Sequence, residues 1–568
     1  MNDIRRTILW VVFAFSLIML WDQWQVHNGR HATFFPSAPP AATTASAPAS
    51  AVPQGATPTA AAAAVPGSVS AAHTSPIPGA QTAPSQPSIP RERIEVSTDV
   101  LKLAFDTEGG SIIKSEFLKF AAQDHPDQPF VLLDTSANRV YQAQSGLIGG
   151  AFPTHKTPMK FVGEKTLSDG ANELVLRFES PAQNGISLNK IYTLTRGSYV
   201  VGVRHEIVNA SAQAIQPQLY VQLVRDGNKP PGESSFYSTF TGPAFYTEAK
   251  KFQKVDFEKI DKGSAEFATQ SPDGWVAMVQ HYFASAWLLP EGASHENFAR
   301  KVDTNLYAAG MIAPAATVAA GSTQTMDARL FVGPQEEKVL ESLAPGLELV
   351  KDYGFFTILS KPLYWLLDKL HGVIGNWGWA IVALVFLLKI LFYPLNAKAY
   401  ASMAKMKAIN PKLTDLRERY KDKPQQMQAE MMRIYREEKV NPMGGCLPIM
   451  IQIPVFIALY WVLLSSVEMR GAPWMLWIKD LSAKDPFFIL PIVMTLTTLL
   501  QTALNPLPPD PMQAKLMWFM PLVFSVMFFF FPSGLVLYWI TNNVLTIAQQ
   551  WLINTRMGVP PQFNLPKF

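Results

Sequence analysis

One cysteine, Cys446, stands among 568 residues, so no intramolecular disulfide is possible, and any exported part must be stable without one. Cys446 lies deep in the chain rather than behind a leader, which favours a buried structural thiol over a lipid-attachment site. Charge is also scarce, at 16% of residues against 48% hydrophobic, the balance of a membrane protein carrying a soluble part. Between Ala32 and Pro90 there is no Asp, Glu, Lys or Arg at all, only an excess of Ala, Pro, Ser, Thr and Gly that cannot bury a core. This is a linker, which as a flexible coil would average roughly 40–45 Å end to end. All nine histidines occur at or before His371, and no Asp or Glu falls in the middle of an apolar run. A general base for chemistry inside a membrane is therefore missing. No HExxH, GxSxG or GxxxxGK pattern occurs, and Ser533 in FPSG has no His or Lys nearby in sequence to activate it. The chain reads as a non-enzyme that needs no cofactor, metal or nucleotide.

What is present centres on Lys389, the lone charge in WGWAIVALVFLLKILFYPL (Trp377 to Leu395). Insertion scales place a mid-membrane lysine at roughly 2.5–3.5 kcal/mol unfavourable, which marks it as a functional residue facing a polar cavity. The competing reading is a stem that snorkels to one interface, about 9 Å away at 1.5 Å per residue.

Arg5 and Arg6 precede fifteen uncharged residues, Thr7 to Trp21, which Asp22, Gln23 and Trp24 follow. Without a small-x-small cleavage site, residues 1–26 read as an uncleaved anchor with its amino end in the cytoplasm. Residues 27–90 form the linker. Residues 91–345 carry period-two alternation, as in ELVLRFES (Glu173 to Ser180) and QLYVQLVRD (Gln218 to Asp226), broken by turns such as Asn184-Gly185. This predicts a large external β sandwich, a scaffold rather than a carbohydrate or peptide groove. The long tether predicts that this domain does not hold the rest in register through its amino-terminal connection, and that most of it is dispensable.

Residues 352–372 space Phe356, Leu359, Leu363, Leu366 and Leu370 by three and four, predicting an amphipathic helix on the membrane surface. Five apolar runs follow: Trp377–Leu395 (within a segment 373–396), then Leu447–Val467, Phe487–Leu504, Leu516–Phe531 and Gly534–Ile553 within 446–554. With the anchor they predict six spans. The intervening loop, 397–445, is basic: from Asn396 to Gly445 it holds eleven Lys or Arg against six acidic residues, which places it and both termini in the cytoplasm. Within it, helical patterns of Met, Leu and Ile predict a hairpin. Its Met427 and Met431 either pack one helix on the other or greet apolar clients. A tail, 555–568, ends the chain.

Polar side chains recur at membrane depth: Gln452, Thr495, Thr498, Gln501 and Thr502, then Tyr538, Thr541, Asn542, Asn543, Thr546 and Gln549. Tyr538, Asn542, Thr546 and Gln549 share one helix face. Interhelical hydrogen bonding explains some of them. With Lys389, a polar cavity inside the bundle is the simplest common cause.

These features meet in runs that resemble the YidC branch of the YidC/Oxa-type membrane protein insertases: LFYPLNAKAYASMAKMKAINPK (Leu391 to Lys412), EKVNPMGGCLPIMIQIPVF (Glu438 to Phe456), APWMLWIKDLSAKDPFFILPI (Ala472 to Ile492) and FPSGLVLYWITNN (Phe531 to Asn543). The resemblance implies a polytopic inner-membrane protein of the Gram-negative type, with five core helices around a hydrophilic groove and a periplasmic supersandwich domain. It implies a groove of Lys389, Gln452, Thr498, Gln501, Tyr538, Trp539 and Asn542, with lysine at 389 where many members have arginine and Val385 where they have threonine. It implies an apolar client slide of Ile453, Pro454, Phe456, Val523 and Met527. The implied clients are nascent membrane proteins, whose polar tails cross in the groove while their apolar segments pass into lipid. Implied partners are the Sec translocon, the signal recognition pathway and the ribosome, and no nucleic acid directly. The short, weakly basic tail after Asn554 speaks against ribosome binding through the tail. The competing class is a secondary transporter of a small anion with Lys389 as counter-charge, against which stand the missing inverted repeat and the long basic hairpin.

Overall fold

The computed structural model describes residues 91–568 apart from 124, 126, 231–238, 421–422, 439–446, 506–510, 557, 559–562 and 564–568. The expected anchor, the linker and Cys446 lie outside the described residues.

The amino-terminal part is an all-antiparallel sandwich of a ten-stranded and a nine-stranded sheet. The larger sheet runs from Arg93–Ser97 at one edge through Arg139–Ile148, Gln218–Asp226 and Leu306–Pro314 to Gln270–Ser271. The smaller runs from Lys251–Lys254 through Thr323–Pro334, Val200–Asn209 and Ile186–Thr195 to Lys160–Gly163. Strict alternation drives the packing. In Ile186–Thr195 every second residue, Ile186, Leu188, Tyr192 and Leu194 among them, enters the shared core, which also holds Phe105, Phe178, Val221 and Trp287. A short helix, α1 (Phe257–Asp261), adds Ile260 to that core. Gln218–Asp226 departs from alternation and is buried on nearly every residue, because its second face is also covered.

Lys190 follows the alternation inward and is fully buried. Its Nζ donates to the carbonyls of Gly109 and Ser145, both at 2.6 Å, and burial pulls its pKa down to about 7.

Beyond the sandwich, α2 (Glu337–Leu343) and a 3-10 turn at Leu347–Val350 cover the outer face of the nine-stranded sheet through Leu340, Leu347 and Val350. Eight helices follow: α3 (Thr357–Ile374), α4 (Trp377–Leu391), α5 (Tyr393–Arg419), α6 (Pro424–Glu437), α7 (Leu447–Ser465), α8 (Ile489–Leu504), α9 (Pro511–Phe528) and α10 (Ser533–Arg556). The apolar run Trp377–Leu395 is not one helix. It breaks at Phe392, and α4 meets the first part of α5 at a bend of 63°. Pro394 explains the break, since it cannot donate to the carbonyl of Ile390 and its ring crowds that turn. Among the described residues no single helix is long and apolar enough to cross a membrane. The polar positions of α10 dilute its apolar character although it is 24 residues long. The bundle's outer side is nonetheless apolar, with Phe386, Ile390, Leu496, Phe519, Phe524 and Val526 each more than half exposed, more apolar surface than a water-soluble bundle carries. Helices α5 and α6 pair through Ile409 and Leu413 against Met431, Ile434 and Tyr435.

The sandwich is not free of the bundle. The loop after α7 inserts Val467 into the sandwich core, and His281 hydrogen-bonds the Leu464 carbonyl at 2.9 Å. Lys351, its side chain fully buried, meets Glu468 at 3.2 Å, and Tyr364 of α3 donates to the same carboxylate at 2.5 Å. Among the described residues, these contacts set the register of the sandwich against the bundle. They come from the segment that leaves the sandwich, through Lys351, and from the end of α7 and the loop after it.

Candidate functional site

Helix α4 starts where the Asn376 side chain accepts from the backbone of Trp379 at 3.1 Å and ends at the Pro394 break. That ending builds the site. Lys389 sits in the last turn, at the negative end of the helix dipole, which favours a cation there. Its own carbonyl accepts from Gln549 Nε2 at 3.0 Å, and Asn396, one turn past the break, donates to Gln549 Oε1 at 3.2 Å. Lys389 is buried at 6% exposure, and its Nζ donates to Thr546 Oγ1 at 2.8 Å. The Thr546 hydroxyl in turn donates to the Asn542 carbonyl at 2.6 Å. Gln452 of α7 closes the arrangement by donating to Asn542 Oδ1 at 3.0 Å. A small cavity lies between these groups, walled by Lys389, Asn396, Gln452, Tyr538 and Asn542 on its polar side and by Val385, Leu388 and Val455 on its apolar side.

No carboxylate among the described residues pairs with Lys389, whose ammonium donates to a hydroxyl instead. Such a site holds a cation without satisfying it, leaving it able to attract an anionic group entering the cavity.

Of the expected groove residues, Lys389, Gln452, Tyr538 and Asn542 come together around this cavity. Trp539 lies beside it, with its ring edge-on to Phe456 at 4.6 Å and tilted against Phe528 at 4.9 Å. Thr498 and Gln501 do not line it. Thr498 accepts from Asn543 at 2.9 Å on the seam between α8 and α10, and Gln501 is half-buried on α8. That seam is a second polar zipper, continued where Gln550 donates to the Leu504 carbonyl at 3.3 Å. Of the slide residues, Ile453, Val523 and Met527 are exposed, while Pro454 and Phe456 are half-buried, Phe456 stacking on Tyr538 at 5.8 Å. On α6, Met431 packs against the core of the helix pair and Met427 is half-buried.

Asn396 escaped sequence reasoning because its place depends on the bend. The signal was Pro394, which ends one helix and turns the next so that position 396 points back at α10. Ser533 is a buried capping group whose Oγ donates to the Ala483 carbonyl at 2.8 Å.

Residues 93–366 match the family described as YidC periplasmic domain, and residues 369–559 match that described as 60Kd inner membrane protein. The chain is 54% identical over 557 residues to the membrane protein insertase YidC of Cupriavidus necator, covering 98% of each chain. To that of Burkholderia multivorans it is 52% identical over 560 residues, covering 98% of this chain and 99% of the relative. A crystal structure of an active YidC insertase with its first transmembrane domain resolved aligns over 80% of this chain and 91% of that one, at 20% identity and a TM-score of 0.38. With near-complete coverage at more than half identity, the chain belongs to the YidC family of membrane protein insertases.

Proposed function

We propose that the cavity around Lys389 receives the polar tail of a client while the client's apolar segment passes along the exposed sides of α7 and α9 into lipid. The supporting observation is a buried cation, Lys389, whose Nζ donates to Thr546 beside a partly polar cavity, in a bundle whose α7 and α9 expose Ile453, Val523 and Met527. Carrying a polar tail through hydrocarbon is prohibitive, whereas a polar cavity shortens the dry path and supplies hydrogen bonds along it. Lys389 attracts acidic residues in that tail, and no nucleotide is consumed.

In this reading the chain crosses the inner membrane six times. The anchor in residues 1–26 supplies one span; the apolar segment 373–396 and the helices α7 to α10 supply five, with the sandwich periplasmic and both termini cytoplasmic. The basic loop 397–445 is the surface available to ribosomes and to the signal recognition pathway. The apolar belt is the surface available to the Sec translocon. The test is reconstitution of the purified protein into vesicles followed by insertion of a short single-span client. Insertion must appear with this protein alone and fail with Lys389→Glu; insertion unaffected by Lys389→Glu removes the cavity from the mechanism.

A further inference from the structure

The loop between α7 and α8 holds two bulky apolar residues in the left-handed region of backbone space, Leu476 at φ 53° and Phe488 at φ 56°. A Cβ disfavours that region, so glycine or asparagine is the ordinary occupant. Here a leucine 75% exposed and a phenylalanine 45% exposed stand in their place. Neither strain nor exposure contributes to folding, and strain held by its surroundings points to a task.

The surroundings do hold it. Trp474 N donates to the Ile478 carbonyl at 3.0 Å, closing the turn that displays Met475 and Leu476. Asp485, buried at 2% exposure, accepts from Trp477 Nε1 and Phe487 N at 3.0 Å through Oδ1 and from Leu490 N at 2.7 Å through Oδ2. The loop is also fastened to the bundle. Asn376 Nδ2 donates to the carbonyls of Pro473 and Trp474, both at 3.1 Å, and Trp474 packs on Gly378, where a Cβ would meet its ring at 2.2 Å. Ser533 and Gly534 donate their backbone N–H groups to the carbonyls of Ala483 and Leu481 at 2.8 Å.

This rigid element presents a patch of Met475, Leu476, Phe487, Phe488 and Ile489, exposed at 40%, 75%, 64%, 45% and 38%. The patch runs without a break into the apolar stripe of α8, where Ile489, Ile492, Leu496 and Leu500 follow helical spacing and are all exposed. On its other side Phe488 meets Phe529 at 5.8 Å, at the end of the exposed face of α9. Lys479 and Lys484 on the same loop are exposed, and no carboxylate among the described residues lies within ion-pair distance of either.

We infer that the loop Pro473–Phe488 is a lipid-inserting cap. Its apolar tip enters the outer leaflet of the membrane that the bundle spans, and Lys479 and Lys484 pair with phosphates of anionic lipid. The inference rests on the membrane placement of the bundle. Its chemistry is that of an interfacial anchor: apolar prongs, tryptophans at their base, and lysines at headgroup level. A cap fixed to α4, α8 and α10 at once sets how deep the outer end of the bundle sits.

The test uses the full chain with Cys446→Ser and one new cysteine, Leu476→Cys, carrying a nitroxide, in vesicles of phosphatidylcholine with and without phosphatidylglycerol. A second label at Val175→Cys, on the sandwich surface, reports the aqueous phase. The expected result is a severalfold higher ratio of oxygen to nickel-chelate collisions at Leu476 than at Val175, without any client, and deeper immersion when phosphatidylglycerol is present. Lys479→Gln with Lys484→Gln should abolish the difference between the two vesicles. Equal ratios at Leu476 and Val175 overturn the inference, as does immersion that appears only when a client chain is added. Leu476→Gly, which suits the backbone, should leave the melting temperature in detergent unchanged or raised. A lowered one shows that the side chain packs within the protein, and overturns the inference too. None of these readouts depends on insertion activity, so the cap and the role of Lys389 stand or fall separately.

Discussion

Arg470 lies over the ring of Phe130 at 5.1 Å from its centroid, although the two residues belong to the loop after α7 and to the β sandwich. The same guanidinium faces Tyr282 at 5.7 Å and Phe283 at 5.3 Å, and its Nη2 donates to the Ala121 carbonyl at 2.6 Å. A planar cation in an aromatic box is a joint that lysine cannot reproduce. Through it and Val467, the sandwich holds the end of α7, the helix that carries Gln452 and Ile453.

Arg470→Ala should therefore loosen the joint without unfolding either part. Cation–π contacts contribute about 0.5–2 kcal/mol, depending on how far they are desolvated. Limited proteolysis should cut the segment between Val350 and Thr357 several times faster in Arg470→Ala than in the parent, with Arg470→Lys in between. Insertion of a small client should persist, because every group around the cavity belongs to the helical bundle. Cleavage at the parental rate would show that the joint holds nothing.

The helix pair α5–α6 makes a different demand on its methionines. Met431 is packed against Ile409 and Leu413, so Met431→Ala should destabilise the pair, whereas Met432 is 48% exposed and free to meet another chain. A photo-crosslinker at Met432 should capture stalled nascent chains more strongly than one at Met431. Equal capture from both positions would mean that the pair opens when a client arrives.

Lys389 was legible because a lone charge in an apolar run has few explanations, and the sandwich because alternation at period two persists over long strands. Contacts that depend on a helix's rotation were not. Thr498 and Thr546 look alike in sequence, yet one faces the seam with Asn543 and the other faces Lys389. The threonines of α8 blur the pattern further by bonding their own helix, as Thr502 does to the Thr498 carbonyl at 2.9 Å. Asn396 needed the 63° bend, and no periodicity encodes a bend angle. The joint of Arg470 with Phe130 and Phe283 unites residues more than 180 positions apart, beyond the reach of local pattern.

Acid should weaken the sandwich. Burial holds His205 at about 3, helped by the neighbouring Lys190 charge, and burial holds His281 at about 4. Both are neutral when folded, while an unfolded histidine titrates near 6.5. Below that pH the unfolded chain takes up protons that the folded chain refuses. The histidines' contribution to stability is therefore full above about pH 6.5 and falls toward pH 4, by up to about 1.4 kcal/mol per pH unit for each. Lys190, held at about 7, acts in the same direction at higher pH, adding stability as its unfolded form loses its proton near 10.5. The melting temperature of the sandwich should drop between pH 7 and pH 5, and less steeply in His205→Gln. A flat profile in the parent protein would mean that these histidines stay protonated inside the fold.

The last expectation separates a charge that works from a stem that snorkels. Lys389 Nζ is directed at Thr546 within the bundle at 2.8 Å, and the residue is 6% exposed. Lys389→Arg should retain insertion because it keeps the cation. Lys389→Ala and Lys389→Glu should fail with the protein still present in the membrane. The defect should be graded by client: acidic translocated tails lose an attraction that a low-dielectric cavity screens weakly, and uncharged tails lose less. Thr546→Val should act mildly, since it removes one acceptor from the lysine and leaves the charge in place. A snorkelling Lys389 predicts instead that Lys389→Ala is harmless or stabilising, because it removes a desolvated charge. The measurement is protease accessibility of client tails in cells depleted of the parent protein. Normal translocation of an acidic tail by well-expressed Lys389→Ala would end the case for the charge.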